Sequence, residues 1–125
     1  MDKKQLGTYG EQIICNLLTE KGYTIIKRNF TIKGGEIDII ATVNDIVAFI
    51  EVKTRQINSL VTGLEAVTKS KQKLIIKAAS YYLVKNPSNF QPRFDVAEVQ
   101  VDEVKVVKID YIENAFDTSG YNIFF

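Results

Sequence analysis

A mixed α/β domain, a single sheet with a helix before it and a helix crossing over it, is the architecture this sequence predicts. Three observations predict it. Residues 3–21 repeat apolar side chains at helical spacing, the runs "GEIDIIAT" and "IVAFIEVKT" are joined by the turn-forming pair Asn44-Asp45, and a second helical stretch separates these strands from two more. At 125 residues with 46% hydrophobic content, the chain has the size and the apolar material for one domain spanning 1–125.

The elements follow in order. In the first helix Leu6, Gly10, Ile13, Ile14 and Leu17 form the apolar stripe, and Gly22 stops it. Gly7 and Gly10, on or beside that stripe, predict a close backbone approach. "GYTIIKRNF" reads as strand one. Strands two and three turn at Asn44-Asp45, residues that tolerate the positive φ of a tight hairpin. Their near-continuous apolar character places both centrally in the sheet. After the loop "QINSLVTG", a helix is predicted from about Leu64 to Val84, ended by Asn86-Pro87. "RFDVAEVQV" and "VKVVKIDYI" are strands four and five, and the aromatic tail, residues 110–125, is expected to pack back on the body. The order α-β-β-β-α-β-β makes strands three and four a parallel pair, because a helical crossover joins them.

Composition narrows the chemistry. With no histidine, Ser-His-Asp and Cys-His catalysis and histidine zinc sites are excluded, and the single Cys15 supplies neither a disulfide nor a thiolate zinc cage. A lone cysteine, no apolar export segment and no membrane-length apolar run lead to the expectation of a cytoplasmic protein with no membrane partner. Net charge is +1, yet Lys53, Arg55, Lys69, Lys71, Lys73, Lys77 and Lys85 face only Glu65 between positions 53 and 85. That local balance of +6 leaves −5 elsewhere. A basic third beside an acidic cluster suits a phosphate-backbone binder with a metal site, and equally a solvated Lys-rich helix face.

The acidic cluster lies on the hairpin. A turn at Asn44-Asp45 makes residue numbers across the ladder sum to about 89, which sets Asp38 opposite Glu51, with Glu36 and Lys53 one step along. Like charges directly opposite destabilise a sheet and raise one another's pKa unless a cation lies between them. A divalent cation removes that cost, and an oxygen-only ligand set suits Mg²⁺ or Mn²⁺. The plainer alternative is an ion-paired sheet face, with Lys53 neutralising Glu51 and Asp38. Two helical residues point the same way. Glu11 lies at the margin of the first helix's stripe, where an ordinary exposed glutamate is the alternative. On the second helix Lys71 occupies an inner stripe of Leu64, Val67, Leu74, Ala78 and Tyr82. Its stem either snorkels to water or its ammonium enters the site toward a phosphate. Thr68, a turn away, has a phosphate hydrogen bond or a surface role open to it.

Asp38, then Glu51-Val52-Lys53 after twelve intervening residues, resembles the PD-(D/E)XK nuclease motif. The longer strings "YGEQ", "KRNF", "GEIDIIA", "FIEVKTR", "AVTKSKQKLIIKAASYYL", "RFDVAEV" and "NAF" resemble, in order, the YraN family of small bacterial proteins, over about Gly7 to Phe116. That family is similar to the archaeal Holliday-junction resolvases. The resemblance implies a restriction-endonuclease-like fold, a metal site at Asp38 and Glu51 with the Val52 carbonyl as a further ligand, and Lys53 as catalytic lysine. It also implies that Glu11 joins the site; Glu36 has no strict equivalent, and Ile37 replaces the motif's proline.

The leading expectation is therefore a Mg²⁺- or Mn²⁺-dependent endonuclease acting on DNA, with branched or junction DNA among the candidates. In it the general base is the metal-bound water system or a carboxylate such as Glu36, while Lys69, Lys71, Lys73, Arg55 and Thr68 hold nucleic acid. Symmetric cutting by resolvase-like relatives adds a homodimer to the expectations. The rival is a nucleic-acid-binding accessory protein that keeps the fold and does not cleave, since fold does not fix function.

Overall fold

A computed structural model of the chain describes residues 1–58 and 67–119. Their order is α1 (Lys3–Glu20), β1 (Thr24–Ile32), β2 (Gly35–Val43), β3 (Ile46–Gln56), α2 (Lys69–Lys85), β4 (Gln91–Asp102) and β5 (Lys105–Phe116). The strands lie in the spatial order β1-β2-β3-β4-β5, a mixed α/β architecture as the sequence predicts. Only β3 and β4 are parallel, and α2 is the crossover that makes them so. No helix among the described residues is long and apolar enough to cross a membrane.

The helices cover opposite faces. Ile14, Cys15 and Leu18 of α1 pack on Ile39, Ala41, Ala48, Ile50, Val52 and Ala97. Ile75, Ile76, Ala78 and Ala79 of α2 pack on Ile37, Ile40, Val47, Phe49 and Phe94. Burial on both faces is why β2 and β3 read as near-continuous apolar runs rather than alternating ones. An aromatic file braces the α2 side: Phe116 stacks on Phe94 at 5.2 Å, Phe94 on Phe49 at 5.6 Å, and Tyr82 meets Phe49 edge-on at 6.0 Å.

Local chemistry sets the helix starts. Asp2 caps α1, accepting from the Gln5 N–H at 2.8 Å while the Gln5 side chain accepts from the Asp2 N–H, a reciprocal capping box. Thr68 caps α2 by accepting from the Lys71 N–H at 3.2 Å. The helix predicted from Leu64 therefore begins at Lys69; positions 64–66 lie outside the described residues. Leu74, expected on its inner stripe, is 42% exposed, and Ile75, Ile76 and Ala79 take the buried face. Strand β5 continues four residues past its expected end at Ile112, so that the first part of the expected tail, through Phe116, is strand; residues 120–125 lie outside the described residues.

The two α1 glycines differ. A Cβ at Gly10 would fall 1.7 Å from Thr54 Oγ1, so α1 rests directly on β3 there. Gly7, expected to share that role, has nothing within 4 Å of a built Cβ. Gly10→Ala is accordingly expected to cost about 1–3 kcal/mol, because the β-branched Thr54 has little freedom to rotate away. Gly7→Ala is expected to add about 0.5–1 kcal/mol from helix propensity alone. Urea unfolding midpoints of the two variants should move in opposite directions.

Candidate functional site

The β2–β3 hairpin keeps the predicted register, from Val43↔Ile46 to Ile39↔Ile50, and the ladder ends there. Asp38 and Glu51 are thus the first residues beyond the ladder rather than a rung of it. The other ladder of β2 is interrupted at the same point. Pairing with β1 runs through Arg28↔Ile39 and Phe30↔Ile37 and skips Asn29 and Asp38 between them. Asn29 has φ +52°, a left-handed backbone that asparagine tolerates better than other non-glycine residues. Alternation breaks as well: Ile37 packs in the α2 cluster and Ile39 in the α1 cluster, whereas a regular strand puts i and i+2 on one face. The expectation that Glu36 and Asp38 share a face by simple alternation fails for this reason.

The sheet forks at this point, and Asp38 fills the fork. Its Oδ2 accepts from the Val52 N–H at 2.8 Å, satisfying a backbone donor that the missing ladder leaves without a partner. The N–H and C=O of one extended residue point to the same edge, so the Val52 carbonyl faces the fork too. From the α1 side, Glu11 hydrogen-bonds the Asn29 side chain and feels the charges of Glu51 and Glu36. Burial raises the Glu11 pKa above the usual carboxylate range, with Asn29 and Arg28 holding part of that rise back.

From the α2 side come lysines. Glu51 is 3% exposed; its Oε1 receives Lys53 Nζ at 3.1 Å and Lys71 Nζ at 3.7 Å, while its buried Oε2 has no partner. Lys71 also reaches Glu36 at 2.8 Å and so bridges the two glutamates. Of the two readings open for Lys71, the ammonium does enter the site. Its pKa is raised: burial pulls it down, but the Glu36 hydrogen bond and the charges of Glu51, Glu36 and Asp38 outweigh that. The Lys71 hydrogen bond and charge in turn lower Glu36. The ion pairs of Lys53 and Lys71 go to Glu51 and Glu36, not to Asp38. Burial and then the adjacent Glu51 charge push Asp38 up to about 8.

Other candidates stand apart. Arg55 pairs with the buried Glu98, its Nε at 3.1 Å from Glu98 Oε1, which also accepts from Gln100. The Thr68 hydroxyl is engaged as the α2 cap; Lys69 and Lys73 lie on the exposed first turns of α2. Two features escape a reading of the sequence. One is Asn29, signalled only by an asparagine inside a strand, where that residue is depleted. The other is Asp95, fully buried on β4, held by Arg93, Tyr111 at 2.6 Å and the Asn114 N–H at 3.0 Å. The i, i+2 spacing of Arg93 and Asp95 within an apolar strand is its signal. That second cluster is closed by its own partners.

The fork fits a hard divalent cation. Among the described residues no three Asp, Glu, His or Cys side chains converge as a metal cage. The donors are instead two carboxylates and a strand carbonyl, the sparse oxygen set that Mg²⁺ accepts while keeping waters. The orphaned Glu51 Oε2 and the Asp38 carboxyl, which no ammonium pairs, are the groups such an ion would meet.

The raised Asp38 pKa makes a sign-definite prediction for the metal-free protein. The native state holds this proton more tightly than the unfolded chain, whose Asp titrates near 3.9, so stability falls as pH rises from about 4 to about 8. Asp38→Asn keeps an oxygen for the Val52 N–H and removes the charge. In EDTA its stability advantage over wild type should widen between about pH 5 and pH 8, reaching on the order of 2 kcal/mol in denaturant unfolding.

A profile described as "Uncharacterised protein family UPF0102" matches residues 10–99, a span containing Glu11, Asp38, Glu51, Lys53 and Lys71. A UPF0102 protein of Alkaliphilus metalliredigens is 48% identical over 114 residues, covering 90% of this chain and 98% of that protein. UPF0102 proteins of Clostridium perfringens strain 13 and Clostridioides difficile strain 630 are each 44% identical, over 116 and 117 residues. They cover 90% and 93% of this chain, and 94% and 100% of their own lengths. Matched over most of its length by profile and relatives alike, the chain belongs to the UPF0102 family, the YraN proteins whose motif strings it carries.

Proposed function

We propose that this protein is a Mg²⁺- or Mn²⁺-dependent nuclease of PD-(D/E)XK type that hydrolyses phosphodiester bonds in DNA, branched DNA being the first substrate class to test. The observation that carries the proposal is the buried Glu51 beside a half-buried Asp38, with Glu51 Oε2 left without a partner and two ammonium groups on its other oxygen. A purely structural ion pair would be closed, as Arg93–Asp95 is, because a buried polar atom left without a partner costs about 1–3 kcal/mol.

Asp38, Glu51 and the Val52 carbonyl would hold the cation, which supplies Lewis-acid polarisation of the scissile phosphate and eases deprotonation of water. Lys53, on the same strand face as Glu51, orients the attacking water and stabilises negative charge developing on the phosphorane. Glu11 and Glu36 flank the pair without entering it: one is tied to Asn29, the other to Lys71. With no histidine, the exposed Glu36 is a carboxylate at the mouth that could take a proton, as a weak base while Lys71 holds it. Lys69 and Lys73, in the first turns of α2, contact backbone phosphates without reading sequence.

A second reading rests on the 3.1 Å Glu51–Lys53 pair, which neutralises one ligand oxygen: an accessory protein that binds nucleic acid and leaves it intact. Purified protein with Mg²⁺ or Mn²⁺ on four-way junctions, flaps, single strands and RNA separates the two. Cleavage is expected, falling at least about 100-fold in Asp38→Ala and Lys53→Ala. Binding on every substrate with cutting on none would leave only the accessory reading. Lys73→Ala should weaken binding evenly across sequences and reduce the salt slope by about one unit, measured by fluorescence anisotropy from low to high salt.

A further inference from the structure

The geometry points to Lys71 as a displaceable counter-ion of the carboxylate pair, a positioning residue that Glu36 retains when a divalent cation takes Glu51. This inference rests on the reading that the pair holds such a cation.

Three observations carry it. Lys71 Nζ is shared unequally, 2.8 Å from Glu36 and 3.7 Å from Glu51. The two partners differ in setting: the Glu36 side chain is 54% exposed and that of Glu51 only 3%. A cation on Glu51 would therefore break the longer contact and leave the shorter one, at the solvent side, in place. Second, both ammonium groups converge on Glu51 Oε1, so a divalent cation taking this carboxylate meets the charge of Lys71 even where it enters at the unpartnered Oε2. Third, the backbone of Lys71 is fixed. Its N–H bonds the Thr68 cap in the first turn of α2, a turn that carries lysines and no acidic residue. Cations there oppose the helix dipole, so this placement of Lys71 costs stability that its local helix does not return. A side chain swinging from a fixed base between two carboxylates acts as a toggle. With Glu51 taken, the ammonium rests on Glu36 at the mouth, where a phosphate oxygen would approach.

The test needs no nucleic acid. Mn²⁺ affinity is read by electron paramagnetic resonance for wild type, Lys71→Met, Glu36→Gln, the double variant and Lys73→Met. Removing the competing ammonium should tighten Mn²⁺ binding about fivefold, as expected for a partly buried ion pair. Glu36→Gln frees Lys71 to remain on Glu51 and should weaken binding about fivefold by the same reasoning. Because Glu36 acts through Lys71, the double variant should match Lys71→Met, a coupling that plain charge effects do not produce. Lys73→Met, an exposed lysine of the same helix, should stay within about twofold of wild type.

The inference is overturned if Lys71→Met binds no tighter than wild type. The same holds if Glu36→Gln weakens binding equally in both backgrounds, or if Lys73→Met tightens it as much. Lys71→Gln provides the same comparison should the methionine variant not fold. Mn²⁺ binding by wild type with an indifferent Lys71 sinks the toggle alone, whereas no Mn²⁺ binding by wild type removes the metal reading with it.

Discussion

The hydrogen bond from the Val52 N–H to Asp38 is the contact on which the site depends. Two neighbouring strands in a packed domain ordinarily stay zipped, since each unpaired backbone donor kept from water costs about 1–3 kcal/mol. Here β2 and β3 separate after Ile39↔Ile50, and a side-chain carboxylate replaces the strand that has moved away. The same carboxylate that takes over where the ladder ends is thus the one set beside Glu51. Asn29, in the adjacent strand, makes the break possible from the other side by leaving the ladder with a positive φ, and its side chain holds Glu11 at the rim. One local irregularity spanning β1 and β2 gathers groups from α1 and α2 that lie on opposite faces of an intact sheet.

Among the described residues the buried acids are Glu51, Asp95 and Glu98, the last paired with Arg55, and the contrast between the first two gives each its meaning. Asp95 is surrounded by Arg93, Tyr111 and a backbone N–H, with Tyr23 completing the Arg93 side through its hydroxyl and ring face. Every strong donor is answered within the fold, and the result ties β4 and β5 to the turn after α1. Glu51 is nearly as buried, beside a half-buried Asp38, and its Oε2 is left without a partner. Proteins retain such an imbalance where something else completes it. Burial alone marks neither as functional; the orphaned oxygen distinguishes them.

Much of this was legible in the residues, and the physical reasons are specific. A two-residue turn at Asn44-Asp45 permits one register, so the count to 89 correctly brings Asp38 and Glu51 together. The count has no means of saying where the ladder stops, because that is decided by Asn29 in another strand. Helical periodicity likewise runs on through Leu64, Val67 and Lys71, but Thr68 supplies a better cap than a continued turn, and three adjacent apolar residues at 74–76 leave the buried face ambiguous until the sheet is in place. Arg93 and Asp95 read as ordinary strand charges, since their partners Tyr23 and Tyr111 are distant in sequence.

The lysines follow from the same imbalance. Glu51 is buried beside Asp38, and two ammonium groups answer its charge. Lys53 does so from its own strand, two residues on, where no movement is available beyond its side chain. Lys71 does so from a different element, at longer range, with a second carboxylate already in contact. The first contact is local to β3, whereas the second ties α2 to both β2 and β3. That two lysines answer one glutamate oxygen, and neither answers the other, is the asymmetry that sets this site apart from the closed Asp95 cluster.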